Sequence, residues 1–302
     1  MTFEKIPCVY YPTTVVMLDD NMSFLENIRM TINDYENISL FDSPSAAIDF
    51  VTSSNSMPAC LDVLESIDQD EIDFDNVLSV DYAKLASFSN HEDQVSVLVV
   101  DYSMPEINGV EFFEKIKSYK SKKIMLTGEA DTAIALDAFN NGLIDKFLTK
   151  DVSNINVVLN NCIGDFKKEY FLDSNINLFV SSFNDIKENF DYIAIFNSWV
   201  SSKNIIEFHQ IDDNGSMVGS DSSSKMFYFY ILSENKLRDY INIAEENAGS
   251  DLLLSQLNQR EKIPVFLNNQ NKNTPVCDWG KIMNDINGVF EHKSNAYYYC
   301  FI

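Results

Sequence analysis

A doubly wound α/β unit on a five-stranded parallel sheet, then a linking helix and a smaller α+β domain, is the fold this sequence predicts. Three observations predict it. Short apolar runs at 14–18, 97–100, 123–126 and 146–149 read as buried strands, the pattern of a parallel sheet covered on both faces. Helical patterns alternate with them, which argues for βαβ units. Beyond Tyr170 that alternation gives way to hairpin signals and aromatic strands. At 302 residues, two domains are expected. We draw them as 1–152, a linking helical segment at 153–190, and 191–302.

In chain order, Thr14-Val15-Val16-Met17-Leu18 ends in Asp19-Asp20. A helix is expected over 43–52. Val97-Leu98-Val99-Val100 ends in Asp101, and the loop Tyr102-Ser103-Met104-Pro105, with Asn108-Gly109 after it, leaves that carboxylate exposed. Lys123-Ile124-Met125-Leu126 ends in Thr127-Gly128, and Lys146-Phe147-Leu148-Thr149 ends in Lys150. Ligands of open parallel sheets sit outside the carboxyl ends of the strands. If the strands lie side by side, an acid pair, an acid, a hydroxyl and a lysine converge on one crevice.

Taken singly, each residue has an ordinary use: the acid pair as a helix cap, Thr127 as a turn hydroxyl, Lys150 as a solvated surface lysine. Together they fit phosphoryl transfer onto Asp101. Three carboxylates at one point make a hard oxygen site suited to Mg²⁺. Lys150 and Thr127 would neutralise the phosphoryl oxygens, in a chemistry that is mostly positioning and charge stabilisation. Asp101 would be the carboxylate nucleophile. A phosphatase of the haloacid-dehalogenase type needs a second acid two positions after the nucleophile, and Ser103 stands there.

With these motifs, residues 13–151 resemble the receiver domain of two-component response regulators, a flavodoxin-like, CheY-like fold. The resemblance implies that Asp101 is the phosphoacceptor and that Asp19, Asp20, Asp101 and the Ser103 carbonyl surround Mg²⁺. It implies that Thr127 and Phe147 rearrange on phosphorylation, and that a sensor histidine kinase or phosphotransfer protein is the donor. The family usually carries Pro after the lysine, often across a cis bond, where this chain has Asp151. A non-proline cis bond costs about 3 kcal/mol, so this loop is trans or strained. The chain as a whole is similar to an atypical, quorum-sensing group of response regulators. That likeness rests on Tyr11 to Val16 leading to Asp19-Asp20, the insertion before the third strand, and Asn141-Gly142-Leu143-Ile144-Asp145-Lys146-Phe147.

The insertion is the main departure. Asp20 and Asp101 are 81 positions apart, where two helices, two strands and their connections need about 50. The excess falls at 54–94, with ten acids and one base, Lys84. Its many apolar residues (Leu61, Val63, Leu64 and Ile67 among them) argue for a packed segment, with a short helix near 61–67. It reads as a structured decoration or as a partner or dimer contact.

Net charge is −24, with −17 in 1–152, −2 in 153–189 and −5 beyond. Residues 190–302 hold nine Lys/Arg against fourteen acids, without a basic helix face, which argues against direct DNA binding. A local patch at Arg260 and Lys262 remains for an anionic ligand. No apolar run approaches a membrane span, and the five scattered cysteines read as reduced thiols in a cytoplasm.

Ile155, Val158, Leu159, Cys162, Ile163, Phe166 and Tyr170 form the last receiver helix, and the pattern resumes from Ile176 to Phe190. So much apolar surface on a connecting helix suggests a homodimer contact or packing on the second domain. There, a strand at 204–211, an Asn-Gly turn, a Ser-rich loop at 219–224 and a central strand at 226–232 are expected. Helices capped by Ser233 and Ser250 follow, then strands near Val265 and Val276 and a Tyr-rich final strand at 296–302. We find no catalytic constellation beyond residue 190. An output domain that switches partner contacts is the expectation; a receiver-gated enzyme or nucleotide or small-signal binder is the alternative.

Overall fold

The computed structural model describes residues 1–32, 37–54, 94–174, 186–266 and 274–302. Residues 55–93 of the insertion, with its expected helix near 61–67, and the whole run from Ile176 to Phe183 lie outside the described residues. The chain forms two compact units, residues 10–54 with 94–174 and residues 1–9 with 186–302.

Strand β1 (Val9–Tyr10) precedes the first unit. That unit then runs β2 (Thr14–Leu18), α1 (Met22–Arg29), β3 (Asn37–Phe41), α2 (Pro44–Ser53), β4 (Val95–Asp101), α3 (Gly109–Lys115), β5 (Lys122–Thr127), α4 (Thr132–Asn140), β6 (Lys146–Thr149) and α5 (Ile155–Leu172). Its parallel five-stranded sheet has the order β3-β2-β4-β5-β6. Successive side chains of a strand point to opposite faces, and the two faces fill differently. Val16, Leu18, Leu98, Val100 and Met125 pack with residues of α2, α3 and α4. Val15, Met17, Val97, Val99, Ile124 and Leu126 pack with residues of α1 and α5. That double cover is why these strands read as unbroken apolar runs, and the doubly wound sheet is the one the sequence predicts.

The second unit continues with α6 (Phe190–Lys203), β7 (Glu207–Gln210), β8 (Met217–Ser220), β9 (Met226–Ser233), α7 (Glu234–Glu246), α8 (Asp251–Asn258), β10 (Lys262–Pro264), β11 (Met283–Asp285), β12 (Gly288–His292) and β13 (Asn295–Phe301). Its main sheet has the order β1-β7-β8-β9-β13-β12, and β10 pairs with β11 separately. Phe229 of β9 meets Tyr192, Phe196 and Trp199 of α6 on one face. Tyr230 and Leu232 join Leu237, Ile241 and Leu257 of α7 and α8 on the other. An antiparallel sheet between helices is the α+β arrangement expected.

Several details differ from the sequence reading. Residues 1–9 pack in the second unit, because β1 adds to the edge of β7, with the Gln210 amide donating to the Cys8 carbonyl at 2.8 Å. The stretch drawn as a Ser-rich loop begins with a strand, since Met217 to Ser220 pair with Gln210 to Glu207. Val276 opens a 3₁₀ turn (Val276–Lys281), not a strand. Pro275, at φ −59°, starts that turn, and the Trp279 indole closes on the Thr274 carbonyl at 2.9 Å. The Arg260 and Lys262 patch is internally spent, on Glu234 at 2.7 Å and Asp285 at 3.1 Å. The four cysteines among the described residues are free thiols. Among those residues no helix is long and apolar enough to cross a membrane.

Candidate functional site

Strand register brings the expected residues level. Leu18 pairs with Val100, Asp101 with Leu126, and Thr127 with Thr149. Asp19, Asp101, Thr127 and Lys150 therefore stand at successive strand ends along one edge of the sheet. One carboxylate oxygen from each of Asp19, Asp20 and Asp101 lies within 4.8 Å of the others. Asp19 and Asp101 are buried, while Asp20 is exposed.

Local chemistry fixes each member. Asn21 caps α1, accepting from the Phe24 amide at 3.1 Å, so neither acid is needed as a cap. Asp19 Oδ1 accepts from the Asn21 amide at 2.9 Å, which leaves Oδ2 for the Lys150 ammonium at 2.7 Å. The same ammonium stands 2.9 Å from Asp101 Oδ1. The Lys150 amide donates to the Thr127 carbonyl at 2.9 Å, tying the lysine to the hydroxyl-bearing strand end. Thr127 Oγ1 is buried and has no hydrogen-bond partner, so its donor is available to an incoming oxyanion.

Asn108 and Glu111 form a reciprocal capping box that starts α3. Gly109 then passes so close to the strand end that a Cβ there would sit 2.8 Å from the Asp101 carbonyl oxygen. The Asn-Gly pair is thus a fit to the loop that follows Asp101. Ser103 is exposed, and its hydroxyl donates to Asp131 Oδ2 at 3.2 Å. Phe147 is half-buried in the core beneath α4 and meets Phe139 edge-on at 6.4 Å. The Lys150–Asp151 bond is trans, as are all described peptide bonds, and Asp151 is exposed.

Electrostatics follow from burial. Desolvation raises the Asp101 carboxyl above its usual range, and the hydrogen bond and charge of Lys150 oppose that. Burial disfavours the Lys150 ammonium, but hydrogen bonds to Asp19 and Asp101 outweigh it and hold the amine above its ordinary value.

One residue at the site was not legible in the sequence. The Phe24 ring lies 4.9 Å from the Lys150 ammonium. An aromatic residue at helical spacing on α1 carries no signal beyond core packing.

Comparison with known proteins shows what this chain is similar to. Residues 57–160 match the family model of the response regulator receiver domain. The whole chain is similar to the structure of the Legionella pneumophila response regulator LqsR, at TM-score 0.79 and 26% identity over 100% of this chain and 90% of that one. Other solved structures align over about half of the chain. One is an adenylate cyclase structure from Rhodopirellula baltica (TM-score 0.38, 20% identity, 53% of this chain and 91% of that one). Another is the receiver domain of a LuxO repressor protein from Vibrio parahaemolyticus (TM-score 0.37, 14% identity, 54% and 95%). No curated protein sequence matches the chain. The ends of β4, β5 and β6, with Asp101, Thr127 and Lys150, therefore lie in a segment that matches the response regulator receiver domain, within a chain whose whole fold is similar to that of LqsR.

Proposed function

We propose that the chain is a response regulator of a two-component phosphorelay that accepts a phosphoryl group on Asp101 and passes the change to an output unit that does not bind DNA. The observation that carries the reading is the convergence of Asp19, Asp20, Asp101, the unpartnered Thr127 hydroxyl and Lys150 at one sheet edge.

Asp101 would attack the phosphorus of a phosphohistidine or a small acyl phosphate. One of its carboxylate oxygens forms the new P–O bond while the bond to the donor breaks, leaving an aspartyl phosphate and the freed donor. Lys150 holds the acceptor carboxylate before transfer and can follow the added charge after it. Thr127 donates its free O–H to a phosphoryl oxygen. The donor set suits a divalent cation, since three carboxylates converge and one oxygen of each comes within 4.8 Å of the others. Asp19, Asp20, Asp101 and the Ser103 carbonyl would hold Mg²⁺, which when bound supplies positive charge against the phosphoryl oxygens.

The contact from Phe147 to Phe139 leads from β6 to α4, whose Ile134, Leu136 and Phe139 are exposed. We assign the switch in homodimer or partner contacts to that helix. A sensor histidine kinase or phosphotransfer protein would be the donor to this chain in the cytoplasm, and the resemblance of the whole chain extends the proposal to population-density signalling.

The test is intact-protein mass after incubation with acetyl phosphate, with and without Mg²⁺, on wild type and Asp101→Asn. A Mg²⁺-dependent gain of one phosphate, absent in the variant, is expected. An equal gain in Asp101→Asn would overturn the acceptor assignment, and no gain in either would point to constitutive contacts.

A further inference from the structure

The Lys150 ammonium is enclosed on three sides. Two are the carboxylates of Asp19, at 2.7 Å, and Asp101, at 2.9 Å. The third is the face of Phe24, 4.9 Å away. A cation within about 6 Å of a ring centroid is attracted by the ring quadrupole. The ammonium thus stands on two of the three carboxylates that converge for a divalent cation, as an internal counter-ion already in their place.

Phe24 is not a chance neighbour of that lysine. Its amide donates to the Asn21 side chain at 3.1 Å, and the Asn21 amide donates to Asp19 Oδ1 at 2.9 Å. Two hydrogen bonds therefore fix the backbone of Phe24 to the loop that carries the acid. Its body packs against the cluster of Leu25, Ile28 and Leu159, which limits where the ring can go.

We propose that Phe24 is a positioning residue for Lys150, holding the ammonium against Asp19 and Asp101, and so setting both how tightly a divalent cation enters and how fast phosphate is taken up. The proposal rests on the phosphoacceptor reading above for its second effect only. The two effects have opposite signs. Without the ring the lysine competes less well for the carboxylates, so Mg²⁺ binds more tightly. At saturating Mg²⁺ the lysine is less well placed beside Asp101, so uptake slows. A packing defect in α1 would instead disturb Asp19 and Asp20 and weaken Mg²⁺ binding.

The experiment uses the full chain. Mg²⁺ affinity is measured by calorimetry without phosphate donor, and uptake from acetyl phosphate at saturating Mg²⁺, for wild type, Phe24→Leu, Phe24→Tyr, Lys150→Met and the double variant Phe24→Leu/Lys150→Met. Phe24→Leu should tighten Mg²⁺ about three- to fivefold, the scale of an exposed cation–π contact, and slow uptake by a similar factor. Phe24→Tyr should behave as wild type, and Phe24→Leu should have no effect in the Lys150→Met background. The wild-type Lys150 ε-methylene proton signal should carry an upfield ring-current shift, which does not depend on any variant folding. Weaker or unchanged Mg²⁺ binding in Phe24→Leu, the same change in the Lys150→Met background, or no ring-current shift would each overturn the proposal. Absence of phosphate uptake by wild type would instead remove the phosphoacceptor reading, while the Mg²⁺ and ring-current results would still decide the role of Phe24.

Discussion

Lys150, just past the last strand of the parallel sheet, places its ammonium 2.7 Å from Asp19, which follows the strand β2. With Asp101 between them at 2.9 Å, one side chain spans the crevice and pairs with two buried acids. A lysine that joins strand ends in this way is a structural element before it is a chemical one.

Lys150→Ala leaves Asp19 and Asp101 buried without a counter-ion. Breaking one side of a buried pair costs about 3 kcal/mol, so the variant should melt well below wild type in chelator. Millimolar Mg²⁺ should restore much of the loss, because a ligand that binds only the folded state stabilises it. Thermal unfolding with and without Mg²⁺ checks this, and an unchanged melting temperature in chelator would refute it. The variant should still accept some phosphate, with no change in association by sedimentation.

Gly109→Ala introduces a Cβ 2.8 Å from the Asp101 carbonyl oxygen and 3.1 Å from the Tyr102 Cα, both backbone atoms. Neither can swing aside, so the loop that follows Asp101 must shift. The expected cost is about 1–3 kcal/mol, as for other overpacked sites. Chemical denaturation should show that loss, and acetyl phosphate labelling a slower uptake. Labelling at the wild-type rate would mean the loop tolerates the shift.

Glu234 gathers Arg238 at 2.8 Å, Arg260 at 2.7 Å and the Tyr298 hydroxyl at 2.8 Å. Burial raises its carboxyl, but hydrogen bonds from Arg260, Arg238 and Tyr298 outweigh that and bring it down to about 2. A depressed carboxyl contributes stability that is complete above its unfolded value of 4.5 and vanishes as pH falls towards 2. The stability gap between wild type and Glu234→Gln should therefore be flat above pH 4.5 and close progressively below it. A gap independent of pH down to 2 would show that the charge plays no part.

Lys122 reaches Asp173 at 2.6 Å, Glu169 at 3.3 Å and Asp145 at 3.9 Å, which fastens the end of α5 to the start of β5. Lys122→Met leaves three carboxylates facing one another. The acids are partly solvated, so the loss should be near 1 kcal/mol, and it should be local. Hydrogen exchange should quicken over the last turn of α5, near Glu169 to Leu172, and leave β4 protected.

The crevice of strand ends was legible because doubly covered parallel strands demand unbroken apolar runs, so the polar residues that end them stand out. Asp101 and Thr127 are each the first polar residue after such a run, and Lys150 follows Phe147-Leu148 one place later, after Thr149. Helix starts at Ser233 and Ser250 were legible for a similar local reason, since each side chain accepts from an amide three residues on. What local pattern does not encode was missed. Met217 to Ser220 hide in a Gly- and Ser-rich stretch, although their pairing partners Glu207 to Gln210 are near in sequence. Phe24 looks like any core aromatic until the lysine from a distant strand is in place above it. Two-residue β1 has no periodicity at all, and only its partner makes it a strand.

That partner comes late. Cys8 and Gln210 meet across about 200 residues, and a ribosome adding about 5–20 residues per second needs roughly 10–40 s to make the span. During that interval residues 10–174 can finish folding while the buried side chains of Phe3, Ile6 and Val9 have no sheet edge to join. Residues 3–9 of the growing chain are thus a sticky apolar segment awaiting its partner, and a natural handle for a chaperone that binds nascent chains.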